Sequence, residues 1–392
     1  MKRNQIKQVL ALCASLFICG QVNAKEKDSA FVPFYFSTET LGNTFGVAGV
    51  AKGVGQPQAA LFGMALYSDK DSYVGFVSAF NYALSDSLLF STQMYQAQFN
   101  QNPYYIGEQG DNSSVTGDKT VTDGFEQNYQ FEFKYLLPWG NVEKHGLMGA
   151  FMPVRDVDSA SPLESGVTSL VVTPFFSSRE LDIYNQPEKA TGVELTLDWD
   201  NRDSVRNPTK GSHTSVELTV AGESWQSNEI WTKWEFQNSH YFALGPLGEL
   251  FDQQVIALDF YTADTPSWDS TKPPEQEQVR LGGLYRLRGY TSGRYHGRSA
   301  VHYSAEYRVL PDWQPLDDIP VINYYDLPWW QWVVFAEAGR VADEYDAKTL
   351  HTDMQWNLGG AVRFQVEGIV VRAELAKGAD EGTFRVMINQ PF

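Results

Sequence analysis

The chain is nearly without cysteine. Of its 392 residues only Cys13 and Cys19 carry a thiol, and both fall near the N-terminus, so the rest of the chain has no disulfide framework. It also lacks any run of about 18 consecutive apolar residues, which excludes a membrane-crossing helix but not crossing by strands. Basic residues are scarce: 30 Lys and Arg stand against 48 Asp and Glu, a net charge of −18. That balance argues against nucleic acid as a partner, because the phosphate backbone selects basic surfaces. The six histidines, at positions 145, 213, 240, 296, 302 and 351, form no His-Glu-x-x-His pair, and no Gly-x-Ser-x-Gly elbow or phosphate loop accompanies them. His302, Ser304 and Glu306 share one strand face, but a hydrolase set drawn from a single strand at spacings of two is a poor one. No catalytic residue, cofactor or metal is expected.

What is present begins with an export signal over residues 1–24. Lys2, Arg3 and Lys7 supply the positive region, residues 9–20 the apolar core, and Val22-Asn23-Ala24 a small-residue cleavage site. Cleavage there starts the mature chain at Lys25 and removes three basic residues, leaving 27 against 48 and a net charge of −21. Leu16-Phe17-Ile18 ahead of Cys19 lacks the small residue of a lipid-anchor site.

Aromatic residues make up 14% of the chain and mean hydropathy is −0.34, a combination that suits a barrel whose strands show lipid only at every second side chain and whose rims carry aromatic girdles. Residues 25–40 read as a short periplasmic lead-in and residues 41–392 as an outer-membrane β-barrel. Alternating segments occur at 43–53, 58–68, 72–83, 86–99, 125–137, 167–176, 192–200, 212–221, 228–243, 250–262, 279–287, 299–310, 330–342, 354–366, 369–376 and 383–392. Each approximates the length of a tilted membrane-crossing strand. The fold class expected is therefore all-β, a single antiparallel transmembrane barrel of about 16 strands. One feature conflicts with this numbering: the Gly/Asn/Ser-rich loop at 100–124 falls on the periplasmic side, where barrels keep short turns.

The stretch 279–290 reads Val-Arg-Leu-Gly-Gly-Leu-Tyr-Arg-Leu-Arg-Gly-Tyr. Arg288-Gly289-Tyr290 alone is an ordinary basic turn. With Gly282 and Gly283 before it, and Tyr295, Gly297 and Glu306-Tyr307-Arg308 after it, the run resembles loop six of the bacterial surface antigen barrels. These form the superfamily of outer-membrane protein assembly (Bam-type) and two-partner-secretion transporters. The resemblance implies that loop six folds into the lumen. Residues 332–341 resemble that family's Phe-x-Asp-x-Gly strand, with Glu337 in place of the aspartate and Gly339 following, which implies a contact between Arg288 and Glu337. A planar guanidinium fork suits a carboxylate, and a charge in a crowded lumen needs a partner.

Asp198-Trp199-Asp200-Asn201-Arg202-Asp203 gathers three carboxylates, a pattern that can bind a hard cation or form a plain strand end and polar turn. With Pro208 and Gly211 it lacks calcium-loop spacing, and Asp200, Arg202, Asp203, Pro208 and Gly211 resemble the Asp-x-Arg-Asp…Pro…Gly connection of the same family. At the C-terminus, Phe384, Val386, Ile388 and Phe392 resemble the signal by which barrels are handed to the assembly machinery.

The resemblance implies a barrel that aids passage or insertion of a protein or lipid substrate, through the lumen or a lateral seam between the first and last strands. The alternative is a passive pore or structural surface antigen that kept the fold without the machinery. Partners implied are outer-membrane lipid and lipopolysaccharide, the barrel assembly machinery during biogenesis, and a separate periplasmic partner protein. The last follows because the lead-in leaves no room for the polypeptide-transport-associated (POTRA) domains, marking a short form of the family.

Overall fold

Among the described residues the chain forms eighteen strands: β1 (Ser29–Thr38), β2 (Gly42–Lys52), β3 (Ala60–Ser68), β4 (Tyr73–Ala83), β5 (Leu88–Tyr104), β6 (Thr120–Leu136), β7 (Val167–Leu181), β8 (Glu188–Arg202), β9 (Gly211–Gly222), β10 (Ile230–Leu247), β11 (Phe251–Asp264), β12 (Val279–Leu281), β13 (Tyr295–Gly297), β14 (Ser299–Pro311), β15 (Trp330–Ala342), β16 (Gln355–Val366), β17 (Ile369–Gly378) and β18 (Gly382–Ile388). This computed structural model describes residues 29–38, 41–157, 159–222, 230–315, 326–366 and 368–392. The expected export signal lies outside them. β1 to β11 and β14 to β18 form one 16-stranded sheet in chain order, with antiparallel neighbours throughout; β12 and β13 pair apart from it.

The sheet is inside-out relative to a water-soluble sandwich. Along β6, Phe131, Phe133 and Tyr135 are exposed while Gln130, Glu132 and Lys134 are half-buried. Along β15, Trp332 and Val334 are 52% and 59% exposed while Glu337 is 3% exposed. An apolar face outward and a charged face inward is the pattern of a barrel wall in lipid. The connection between β11 and β14, residues 265–298, touches both halves of the wall. Glu275 pairs with Arg179 of β7 at 2.7 Å, and the carbonyl of Leu284 accepts from Arg372 of β17 at 2.7 Å. Strands so far apart in the sheet meet one segment only because the sheet curls around it.

Two expected boundaries are corrected. Ser29–Thr38, placed in the lead-in, is the first wall strand and pairs with β2 along its whole length. Residues 279–287, expected as a wall strand, leave extended geometry after Leu281, because Gly282 and Gly283 adopt φ of +93° and +130° and turn the chain inward. The two errors cancel, so sixteen is kept for a different set of strands. The added β1 also shifts the parity: residues 105–119 now lie at the same end as residues 265–298, which form the sixth connection at that end.

Candidate functional site

Four adjacent wall strands, β14 to β17, bring charges together on their inner faces. β14 offers Glu306 and Arg308, β15 Glu337, β16 Arg363 and β17 Arg372 with Glu374; all are at most 3% exposed. Arg363 stands directly opposite Arg372 in the ladder, an arrangement that repels unless carboxylates intervene. Glu306 and Glu374 do so: Glu306 pairs with Arg308 at 2.8 Å and Arg363 at 2.7 Å, and Glu374 with Arg363 at 3.2 Å and Arg372 at 3.0 Å.

Arg288, at the tip of the 265–298 connection, enters this lattice as its fourth guanidinium against three carboxylates. Its Nε donates to Glu337 Oε1 at 2.9 Å and its backbone N–H to Glu337 Oε2 at 2.7 Å. Its Nη1 lies 2.8 Å from Glu306 and 3.0 Å from Glu374, and its guanidinium carbon sits 3.7 Å from the Phe335 ring centroid. Asn357 Nδ2 donates to Glu337 at 2.9 Å. Arrays of this kind, buried and multiply bonded, hold geometry rather than perform reactions.

The neighbours of Arg288 explain the rest of the triplet. Gly289 lies flat on the wall, where a Cβ would stand 2.7 Å from Asn357 Cβ and 3.0 Å from the Gly378 nitrogen. Tyr290 covers Gly378, donates to the Trp356 carbonyl at 2.9 Å and accepts from the Ala379 N–H at 3.1 Å. Gly339 has no room for a side chain either, since Leu281 Cδ1 would lie 3.0 Å from its Cβ. From β18, Arg385 donates to the carbonyls of Gly283, Arg288 and Tyr290 at 2.7, 2.7 and 2.6 Å, and Thr383 to that of Arg288 at 2.6 Å.

Residues 165–378, more than half of the chain and including this lattice, match the Omp85 superfamily domain. The chain belongs to the Omp85 superfamily. No curated protein sequence matches it, but solved Omp85 barrels share its fold. A BamA from Haemophilus ducreyi lacking POTRA domains 1-3 aligns at TM-score 0.53 and 12% identity over 92% of this chain and 70% of that one. CdiB from Acinetobacter baumannii aligns at 0.54 and 13% over 92% and 59%, and CdiB from Escherichia coli at 0.57 and 10% over 94% and 62%. The chain thus spans about six-tenths of the length of the two CdiB structures. Omp85 barrels reside in the Gram-negative outer membrane and serve as transporters or assembly factors rather than enzymes.

The expected Asp-x-Arg-Asp…Pro…Gly positions lie away from the lattice. Asp200 binds Arg202 at 2.7 Å and Arg155 at 3.0 Å. Asp203 closes the β8 to β9 turn by accepting from the N–H groups of Ser204, Thr209 and Lys210. Pro208 is buried in that turn, and Gly211 takes φ of +92° where the Asn201 carbonyl fills the place of a side chain. Phe384, Val386 and Ile388 share the outward face, whereas Phe392 does not continue their row. β18 stops at Ile388, Asn389 takes φ of +68° and Pro391 follows, a combination that breaks a strand. Phe392 then turns inward, packs with Tyr241, Val255 and Ala257 and lies under Arg308. It is therefore a lumen residue, not a membrane-interface aromatic.

Sequence reasoning missed Glu306 and Glu374 as partners of the Arg288 guanidinium, and Arg363, Arg372 and Arg385 as the cations around them. A signal for them existed: inward charges of opposite sign on adjacent strands, too many to leave unpaired. Of the hydrolase combination, Glu306 is bound to the Arg288 guanidinium, while His302 accepts the Leu287 N–H at 3.3 Å and lies 3.7 Å from Glu337.

Proposed function

We propose that this barrel moves or inserts a protein or lipid substrate at the Gram-negative outer membrane without covalent chemistry, and that residues 265–298 act as loop six. The observation that carries the reading is the double attachment of the Arg288 tip. One set of bonds joins it to carboxylates of β14, β15 and β17, the other to Arg385 and Thr383 of β18. β18 is the last strand of the sheet and β1 the first, so a substrate that displaces the tip also loosens the strand bordering a lateral seam. In this reading lipid and lipopolysaccharide surround the apolar outer band, the assembly machinery inserts the barrel, and a separate periplasmic protein delivers the substrate. A passive pore fits less well, since the tip of the connection packs against the lumen wall over several strands. Reconstitution in liposomes separates the two: accelerated insertion of a client barrel or lipid transfer supports the proposal. Steady small-solute conductance with no effect on either favours the pore.

A further inference from the structure

At the end of the barrel opposite residues 265–298, residues 137–166 join β6 to β7. Instead of a tight turn they include a helix, α1 (Asn141–His145), and a three-ten turn over Gly146–Ala150. Val142, Leu147, Ala150 and Phe151 of this segment pack on Leu89, Leu136 and Val167. These three wall residues face inward: Leu89 pairs with Lys134, Leu136 with Ser169 and Val167 with Asp200. Two positions further into the barrel, Ser91, Lys134 and Asp198 line a cavity of about 330 Å³. Its wall carries Glu132, Glu194, Asp198 and Glu217 against Lys134, the one cation among the described residues that line it.

The segment therefore sits in the barrel mouth one layer of wall side chains below an acidic chamber, whose lining comes from the wall strands and the β4 to β5 region. Met148, Val154 and Leu163 on it are 52%, 69% and 60% exposed. The segment is held by the small cluster around Val142, by Arg155, and by hydrogen bonds to β8: the Trp199 indole donates to the Ser165 carbonyl at 3.0 Å, the Ser165 hydroxyl to Asn201 Oδ1 at 2.7 Å, and Asn201 Nδ2 to the Ser159 carbonyl at 3.0 Å. Arg155, 5% exposed, reaches Asp200 Oδ2 at 3.0 Å and donates to the Ala150 carbonyl at 3.0 Å. Its backbone N–H donates to the Asp203 carbonyl at 2.7 Å. The turn beginning at Asp200 thus anchors a second element beside its own strand pair.

We propose that residues 141–157 are a gate closing this mouth of the barrel over an acidic chamber, with the Arg155 to Asp200 pair as the latch. Opening it admits cations in preference to anions, because the chamber's lining carries more carboxylates than cations. The gate concerns the lumen alone and does not depend on which substrate the barrel serves.

Single-channel recording in planar bilayers tests it. Arg155→Ala and, independently, Val142→Asp should each raise conductance several-fold with a reversal potential favouring potassium over chloride. Glu194→Gln with Glu217→Gln in the Arg155→Ala background should reduce that preference. A barrel with residues 141–163 replaced by a short Gly-Ser linker that assembles, judged by heat-modifiable mobility, yet conducts like the parent overturns the gate. Should the replacement fail to assemble, labelling decides. Ser91→Cys would be the only thiol beyond residue 24, and an impermeant maleimide should label it in the Arg155→Ala background and not in the parent. Equal labelling in both refutes the proposal.

Discussion

Removing the Arg288 side chain should damage the barrel more than neutralising Glu337, although the two are bonded to each other. In Arg288→Ala, Glu306 keeps Arg308 and Arg363, and Glu374 keeps Arg363 and Arg372. Glu337 alone is stranded, left with Asn357 Nδ2, the residue-288 N–H and His302 at 3.7 Å. A buried carboxylate without a cation costs about 3 to 5 kcal/mol. In Glu337→Gln, Arg288 retains Glu306 and Glu374, so the loss is that of a charge-assisted hydrogen bond, about 1.5 to 3 kcal/mol. The double variant removes the stranded charge and should be no worse than Arg288→Ala. Urea unfolding of the reconstituted barrel, followed by tryptophan fluorescence and heat-modifiable mobility, gives the three values. Limited proteolysis reports whether the connection has left the wall. Equal costs for the single variants, or a double variant additive to within about 0.5 kcal/mol, would refute the lattice as described.

Arg385→Ala deletes bonds to three carbonyls of the tip and should speed hydrogen exchange across residues 282–291 and in β18 together; unchanged exchange in either breaks the proposed coupling. Gly289→Val places side-chain atoms where Asn357 and the Gly378 nitrogen already stand, so the tip should lift and become protease-sensitive, and a variant as resistant as the parent counts against the close approach. Phe392→Ala empties a buried aromatic site and should lower both stability, by about 3 kcal/mol for a largely buried ring, and the yield of assembled barrel. Phe384→Ala, on the exposed outer face, should leave the unfolding midpoint near the parent's. Should Phe392→Ala behave like Phe384→Ala, the inward placement of the C-terminus is wrong.

The amino-acid sequence alone determined the wall and the identity of the tip. Alternation is a local property of a strand, written at every second residue, and Phe131, Phe133 and Tyr135 state the outward face without any knowledge of the neighbours. The pairing of Arg288 with Glu337 was legible by resemblance, but its surroundings were not. Whether residues 279–287 form wall or loop turns on two positive-φ glycines, and whether residues 29–38 form lead-in or strand turns on pairing with β2. Neither is visible to a period-two pattern. The convergence of Glu306 and Glu374 on the Arg288 guanidinium, the bracing of those carboxylates by Arg363 and Arg372, the grip of Arg385 on the tip's carbonyls, the inward turn of Phe392, and the seating of Val142 and Arg155 in the opposite mouth were decided only by tertiary structure. Each depends on strand register and on the curl of the sheet, which bring together residues up to a few hundred positions apart. A charged or aromatic side chain carries no local mark of what it will meet across a lumen.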